Sequence, residues 1–258
     1  MARKTQARRW TCLLVIIAAT ALCGCAAITA TPTEYDLTFR PVTGMRLAHD
    51  VSMEVTASDE RERQSMPKQS SKRVINVVAA DTESYSVRVT VNGTAAPFVL
   101  TMMRDGTLKR LTPDNPNGPT PTEEQVATAS AALKDAVGAG LGTMPWRVGS
   151  SREVALRIPV GAAKGSEMKL RATLRRITKF ARRPAAELTL DGGGTIAGQG
   201  SSVPVLMRIS GTRWTDLQTG AVLLSTMTAK GQSNIDGRPL DVEMKQEERL
   251  NLRASAGL

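Results

Sequence analysis

Across 258 residues the chain carries 34 Lys or Arg against 24 Asp or Glu, a formal net charge of +10, and a single histidine, His49. One imidazole nearly rules out triads and dyads built on His and zinc sites with several His ligands, and 3% aromatic residues are too few for a stacking platform for single-stranded nucleic acid. The three cysteines stand at positions 12, 23 and 25, so the chain after Cys25 has no thiol for a structural disulfide or a thiolate metal site.

Taken in chain order, the first element reads as an export signal. MARKTQARRW holds Arg3, Lys4, Arg8 and Arg9 with no acid, and the strongly apolar run extends only from Cys12 to about Cys23. The uncharged stretch between Arg9 and Glu34 is long enough to cross a bilayer as a helix. After Leu22, however, it turns to Gly, Ala and Thr and reaches Pro32 before any cationic stop-transfer flank, which is a signal-peptide profile.

At the end of that run Leu22, Cys23, Gly24 and Cys25 resemble the lipobox of bacterial lipoproteins: an aliphatic residue, a small one, Gly or Ala, then Cys. The resemblance implies cleavage between Gly24 and Cys25, a thioether-linked diacylglycerol on Cys25, and as a rule acylation of the new amino group. That lipid is covalent, and no dissociable cofactor is expected. Each buried methylene contributes about 0.8 kcal/mol, so two or three chains hold stably where one would be marginal. Ala26, where retained lipoproteins have Asp, implies an outer-membrane lipoprotein facing the periplasm in a double-membraned organism, and otherwise one on the outer face of the cytoplasmic membrane. Removing residues 1–24 takes away four cations, so the net charge falls from +10 to +6.

The expected organisation is a lipoprotein signal peptide at 1–24, a tether at 25–34 reaching some 30 Å if extended, an N-terminal β unit with a helix at 35–160, and a C-terminal β unit at 161–258. From Met45 to Ala57 alternate residues are apolar, with His49 among them, which predicts a long strand with one buried face. SDERERQSMPKQSSK reads as a hairpin connection to a partner strand near Arg73. SYSVRVTV follows, then the turn signal Asn92-Gly93, then a strand pair about Asp105-Gly106. One helix is predicted near 121–137, with Thr120 as cap, Pro121 at its first position, Glu123 completing a capping box, and Val126, Ala129, Leu133 and Val137 as its stripe.

Strands resume around Val154, Met168, Leu188, Val203 and Leu240. VTVNGT near 90 and LTLDGGGT near 190 suggest two related units about 100 residues apart. The fold expected is therefore mainly β, antiparallel meander sheets as either a curved half-barrel or two related β units, with one α-helix. MPWRVGSSREV and TDLQTGAVLLS resemble segments of uncharacterised β-rich bacterial lipoproteins, a family that brings no activity with it.

Candidate sites are few. Ser65-Met66-Pro67-Lys68 has the Ser-x-x-Lys spacing of penicillin-interacting enzymes but lies in a charged loop without companion motifs. The loop 113–124 lacks a carboxylate at the first position of a calcium loop, and GAGLG at 138–142 follows a helix, whereas phosphate loops precede one. His49 reads as a core or rim residue. Arg171, Arg175, Arg176, Lys179, Arg182 and Arg183 lie in a stretch without acids, either a solvated face or a patch for anionic headgroups, lipopolysaccharide or an acidic partner. Met45, Met53, Met102, Met168, Met207 and Met244 fall on predicted inward faces and either fill a core or line an apolar groove. The expected function is a membrane-anchored, non-enzymatic binding module for an apolar or lipid ligand. A docking subunit of an envelope complex is the alternative and an enzyme ranks third, because no nucleophile, base and orienting group can be assembled from these motifs.

Overall fold

Period-two alternation becomes twelve antiparallel strands in a computed structural model that describes residues 33–58, 63–65, 67–115, 117–118, 120–122, 133, 141, 144–156, 168–196, 205–235 and 238–258. They are β1 (Arg46–Ser58), β2 (Arg63–Ser65), β3 (Gln69–Ala80), β4 (Ser84–Val91), β5 (Thr94–Met103), β6 (Leu108–Pro113), β7 (Ser151–Leu156), β8 (Met168–Phe180), β9 (Arg183–Ile196), β10 (Val205–Asp216), β11 (Val222–Ile235) and β12 (Arg238–Leu250). Their order in the sheet is β6-β5-β4-β3-β1-β12-β11-β10-β9-β8-β7, with β2 on β1 beside this path. Residues 34–258 form one compact unit, and the stretches expected as separate β units at 35–160 and 161–258 both contribute strands to this single sheet.

Two meanders meet where the last strand pairs with the first, in continuous register from His49 opposite Leu250 to Ser58 opposite Asp241. The core-facing side crosses the join where His49 stands opposite Leu250, and it continues through β3, β4 and β5: Leu47 and Ile75 are opposite each other, as are Val77 and Val87, and Val87 and Leu100. Side chains of β3, β4 and β5 pack in one cluster with Ala185 of β9 and Leu223 of β11, far along the strand order. A flat sheet could not bring these together, so the sheet curls over its own apolar side as an open half-barrel.

One end of the half-barrel is capped by the chain termini. Residues 35–45 cross it: Tyr35 and Trp146 exchange backbone hydrogen bonds of 2.7 Å, the Arg40 amide donates to the Thr219 carbonyl at 2.7 Å, and the Gly44 amide donates to the Val77 carbonyl at 2.9 Å. This path buries Leu37, Phe39 and Met45 to 2% exposure or less. The C-terminal residues close the same end, with the Asn251 amide on the Ala48 carbonyl, Arg46 and Ala256 bonded reciprocally, and Leu258 against the core. Gly220 is required here, because its φ of +70° is left-handed and a Cβ would overlap the Thr38 carbonyl.

Two sequence readings change. Asn92-Gly93 is a turn with both residues at positive φ, but Asp191 to Gly194 is not its counterpart. Those residues run inside β9, where a Cβ on Gly192 or Gly193 would overlap a carbonyl of β8 or β10, so the glycines permit close strand approach and not a turn. Of the expected helix at 121–137, Pro121 and Thr122 are non-helical and Leu133 is helical and buried in the main cluster; the rest lies outside the described residues. So does most of 138–142, although Leu141 is buried.

The β8–β9 turn places Ala181 at φ 47° and Arg182 at φ 70°, both left-handed without glycine. Arg182→Gly is expected to stabilise the fold by about 1 kcal/mol, raising Tm by roughly 2–4 °C in a calorimetric scan.

Candidate functional site

Inside the apolar face of the half-barrel runs a belt of polar side chains contributed by four adjacent strands and β3. The register places Val51, Glu248, Ser225, Arg213 and Leu188 in one row across β1, β12, β11, β10 and β9. His49 stands opposite Arg73 of β3, and Thr215 is two residues along β10 from Arg213 on the same side. Of the polar members all but Arg73 are buried to 5% exposure or less, so the belt lies in the protein interior.

Glu248 organises the belt. Its Oε1 accepts from the Arg73 guanidinium and lies 3.7 Å from His49 Nδ1. His49 Nε2 is 3.3 Å from the Val222 carbonyl, so each ring nitrogen faces an acceptor. A carboxylate at 1% exposure has lost its hydration, and only a cation close by makes that burial tolerable. Ser225 Oγ and Thr215 Oγ1 are buried and make no hydrogen bond among the described residues. The Tyr85 hydroxyl is likewise buried, and burial pushes its ionisation above the usual range, keeping it neutral.

Sequence spacing gave no hint that Ser225, His49 and Glu248 share a row and its neighbour. They are the residue types of a nucleophile, a base and an orienting acid, but His49 Nε2 points to the Val222 carbonyl, and Ser225 Oγ has no hydrogen bond through which a base could draw its proton. Of these, the sequence singles out only His49; the signal for Glu248 is an acid on the apolar side of an alternating strand.

Away from the capped end the same wall opens. Met53, Gln246 and Met227 form the next row, then Val55 and Met244, then Val242, and these side chains are half-buried. Nearer the capped end Met45 and Met102 are sealed at 1% and 0% exposure, while Met207 on β10, in the row of Val242, is buried at 5%; Met168 opens β8. The methionines thus divide between core and exposed wall. The outward side carries a separate open cleft of about 1040 Å³, where Thr56, Glu243, Lys230 and Arg208 stand in one cross-strand row.

The six basic residues are not equivalent. Arg176 Nε donates to Glu187 Oε2 at 2.5 Å and Arg175 lies 3.7 Å from the same buried carboxylate. Arg183 binds the carboxylate of Asp216, whose side chain is fully buried. Arg171 faces Asp191 across the strand pair, while Lys179 and Arg182 are exposed at the β8–β9 turn. Cys25 and Gly24 lie outside the described residues. Ser65 and Lys68 are exposed, and Met66 between them is not described. Among the described residues no group of three or more His, Cys, Asp or Glu is placed to hold a metal ion, and no helix is long and apolar enough to cross a membrane.

Two outcomes follow from these buried charges. Glu248→Gln strands the Arg73 cation and is expected to cost about 3–4 kcal/mol by urea denaturation. Arg73→Met combined with Glu248→Leu removes both charges and should cost clearly less; an equal loss would mean that Glu248 is not held by charge balance. Burial raises the Asp216 carboxyl, but the Arg183 hydrogen bond and the Thr219 and Gln218 amides outweigh it and hold the group below its usual 3.8. A depressed folded value contributes stability that is complete above the unfolded value of about 4 and disappears as pH falls through the folded one. Wild type should therefore lose more stability than Asp216→Asn between neutral pH and about pH 3, measured by denaturant titration at each pH.

No protein-family model and no curated protein sequence matches this chain. Among solved structures, similarity is found to Ail, the attachment invasion locus protein of Yersinia pestis, at 6% identity and a TM-score of 0.19, covering 81% of this chain and 100% of that one. The ywiB protein of Bacillus subtilis matches at 7% identity and a TM-score of 0.13, covering 79% and 94%. At these scores neither likeness bears on function.

Proposed function

We propose that the chain is an envelope lipoprotein anchored through Cys25, whose half-barrel is a non-enzymatic binding module for an apolar or lipid ligand. The observation that carries this reading is the half-buried wall of Met53, Val55, Met227, Val242 and Met244. It continues the same face whose other half is sealed core. A wall of flexible, polarizable side chains adapts to ligands of irregular shape. The polar belt behind it supports a second feature of the reading, that a ligand's polar end has partners at the depth of Gln246. The address, an outer membrane facing the periplasm or the outer face of a cytoplasmic membrane, follows from the lipobox and Ala26.

The open edges of the sheet favour a second reading. Among the described strands β6 and β7 each have one neighbour, and an unpaired edge can accept a strand from another envelope protein. A docking subunit would use these edges and leave the Met wall empty.

Mass spectrometry of lipid extracted from the purified protein separates the two. Co-purifying lipid that is lost in a Met53→Asp, Met244→Asp variant of unchanged circular dichroism is the expected result; protein free of non-covalent lipid favours docking. The anchor is tested on its own by Cys25→Ser, which is expected to leave the precursor uncleaved and without the mass of diacylglycerol. Unchanged mass and processing in that variant would remove the lipoprotein reading.

A further inference from the structure

Charge is segregated along the chain. Residues 141–216 hold thirteen Lys or Arg against five Asp or Glu, a net charge of +8, whereas the remaining residues from Cys25 onward sum to −2. In the sheet this stretch forms one flank, β7 to β10. Its outward side is solvated: Lys169 is 68%, Arg175 64% and Arg208 83% exposed at the side chain, and Arg171, Lys179 and Arg182 are exposed as well. Two of the acids, Glu187 and Asp216, are buried against Arg176 and Arg183, so they pin the flank together and present little negative charge to solvent.

The same flank is where the chain enters the body. Glu34 pairs with Arg147 at 2.5 Å and Tyr35 is bonded to Trp146. Two residues beyond Arg147, the Gly149 amide donates to the Leu174 carbonyl at 2.7 Å, next to Arg175. Two apolar side chains, Met144 and Val148, are 67% and 54% exposed around this entry point. Only residues 26–33 separate Cys25 from Glu34, a contour of roughly 30 Å.

We propose that this flank, the outward side of β7 and β8 with the β8–β9 turn, seats the body on the surface of an anionic phospholipid bilayer. The proposal rests on the lipid anchor at Cys25 proposed above. A short tether keeps the basic flank at high effective concentration beside the headgroups. Each Lys or Arg at an anionic surface favours the seated state by roughly fivefold, while Met144 and Val148 enter the interfacial layer. Arg175, Arg176 and Arg183 contribute field while holding their buried carboxylates, and Lys169, Arg171, Lys179 and Arg182 make the direct approach. Seating on this flank leaves the opposite edge strand, β6, directed away from the membrane.

The test uses lipidated protein reconstituted into vesicles of phosphatidylcholine, with or without phosphatidylglycerol, and reads lysine acetylation rates by mass spectrometry. Lys169 and Lys179 are expected to be protected severalfold on the anionic vesicles only, and to lose that protection at high salt, while Lys72 of β3 and Lys245 of β12 react equally on both. Equal rates at Lys169 on the two vesicle types, protection that survives high salt, or protection that requires added envelope protein would each overturn the proposal. Lys179→Glu with Arg182→Glu, both at an exposed turn, should abolish the protection of Lys169. If intact mass shows no lipid on Cys25, the anchor reading fails separately. Sedimentation of the unlipidated protein with the same vesicles then decides the flank: salt-sensitive binding to the anionic vesicles supports it, and no binding overturns it.

Discussion

The pairing of β1 with β12 is the constraint on which the rest of this structure depends. It joins the two meanders, brings the first and last long strands together, and makes two half-sheets into one surface with a common apolar side. Glu248 sits beside this seam and reaches across it to Arg73 and His49 on the other meander. A one-residue slip would turn that carboxylate outward and bury its neighbours Glu247 and Arg249, so the ionic contact favours a single register where apolar alternation alone would tolerate more than one.

From the seam, two different environments develop along the same strands. Toward the capped end the crossing of residues 35–45 and the return of residues 251–258 seal Leu37, Phe39, Met45 and Leu47 completely. Toward the other end Met53, Val55 and Met244 stay half-buried, while Met207, Ile209 and Ala229 on neighbouring strands are buried. The asymmetry follows from chain connectivity: among the described residues, 35–45 and 251–258 both pack over the same end. It is this difference, more than any single residue, that suggests a binding wall continuous with a core.

The outward side is organised by charge. On β8 and β9 buried carboxylates draw selected arginines down, Arg176 to Glu187 and Arg183 to Asp216, and leave lysines and the turn arginine in solvent. A run of cations that looks uniform in one dimension thus separates into residues that hold the hairpin and residues that only project a field. Both kinds add to the same local potential, which is why the flank remains strongly basic although Arg175, Arg176 and Arg183 have carboxylate partners.

Local sequence determined the β class, most strand positions, the inward placement of Met45, Leu47, His49 and Met102, and the turns at Asn92-Gly93 and Asp105-Gly106, because alternation and turn chemistry are short-range properties written into neighbouring residues. Three things were decided only by tertiary structure. Strand order depends on pairing between segments some 200 residues apart, as with His49 and Leu250. The role of Asp191 to Gly194 depends on how closely β8 and β10 approach, which no local turn rule contains. The polar belt depends on the register of adjacent strands: Arg73, His49, Glu248, Ser225 and Arg213 are scattered over 200 positions of chain and become neighbours only because hydrogen-bonded strands align them in adjoining rows.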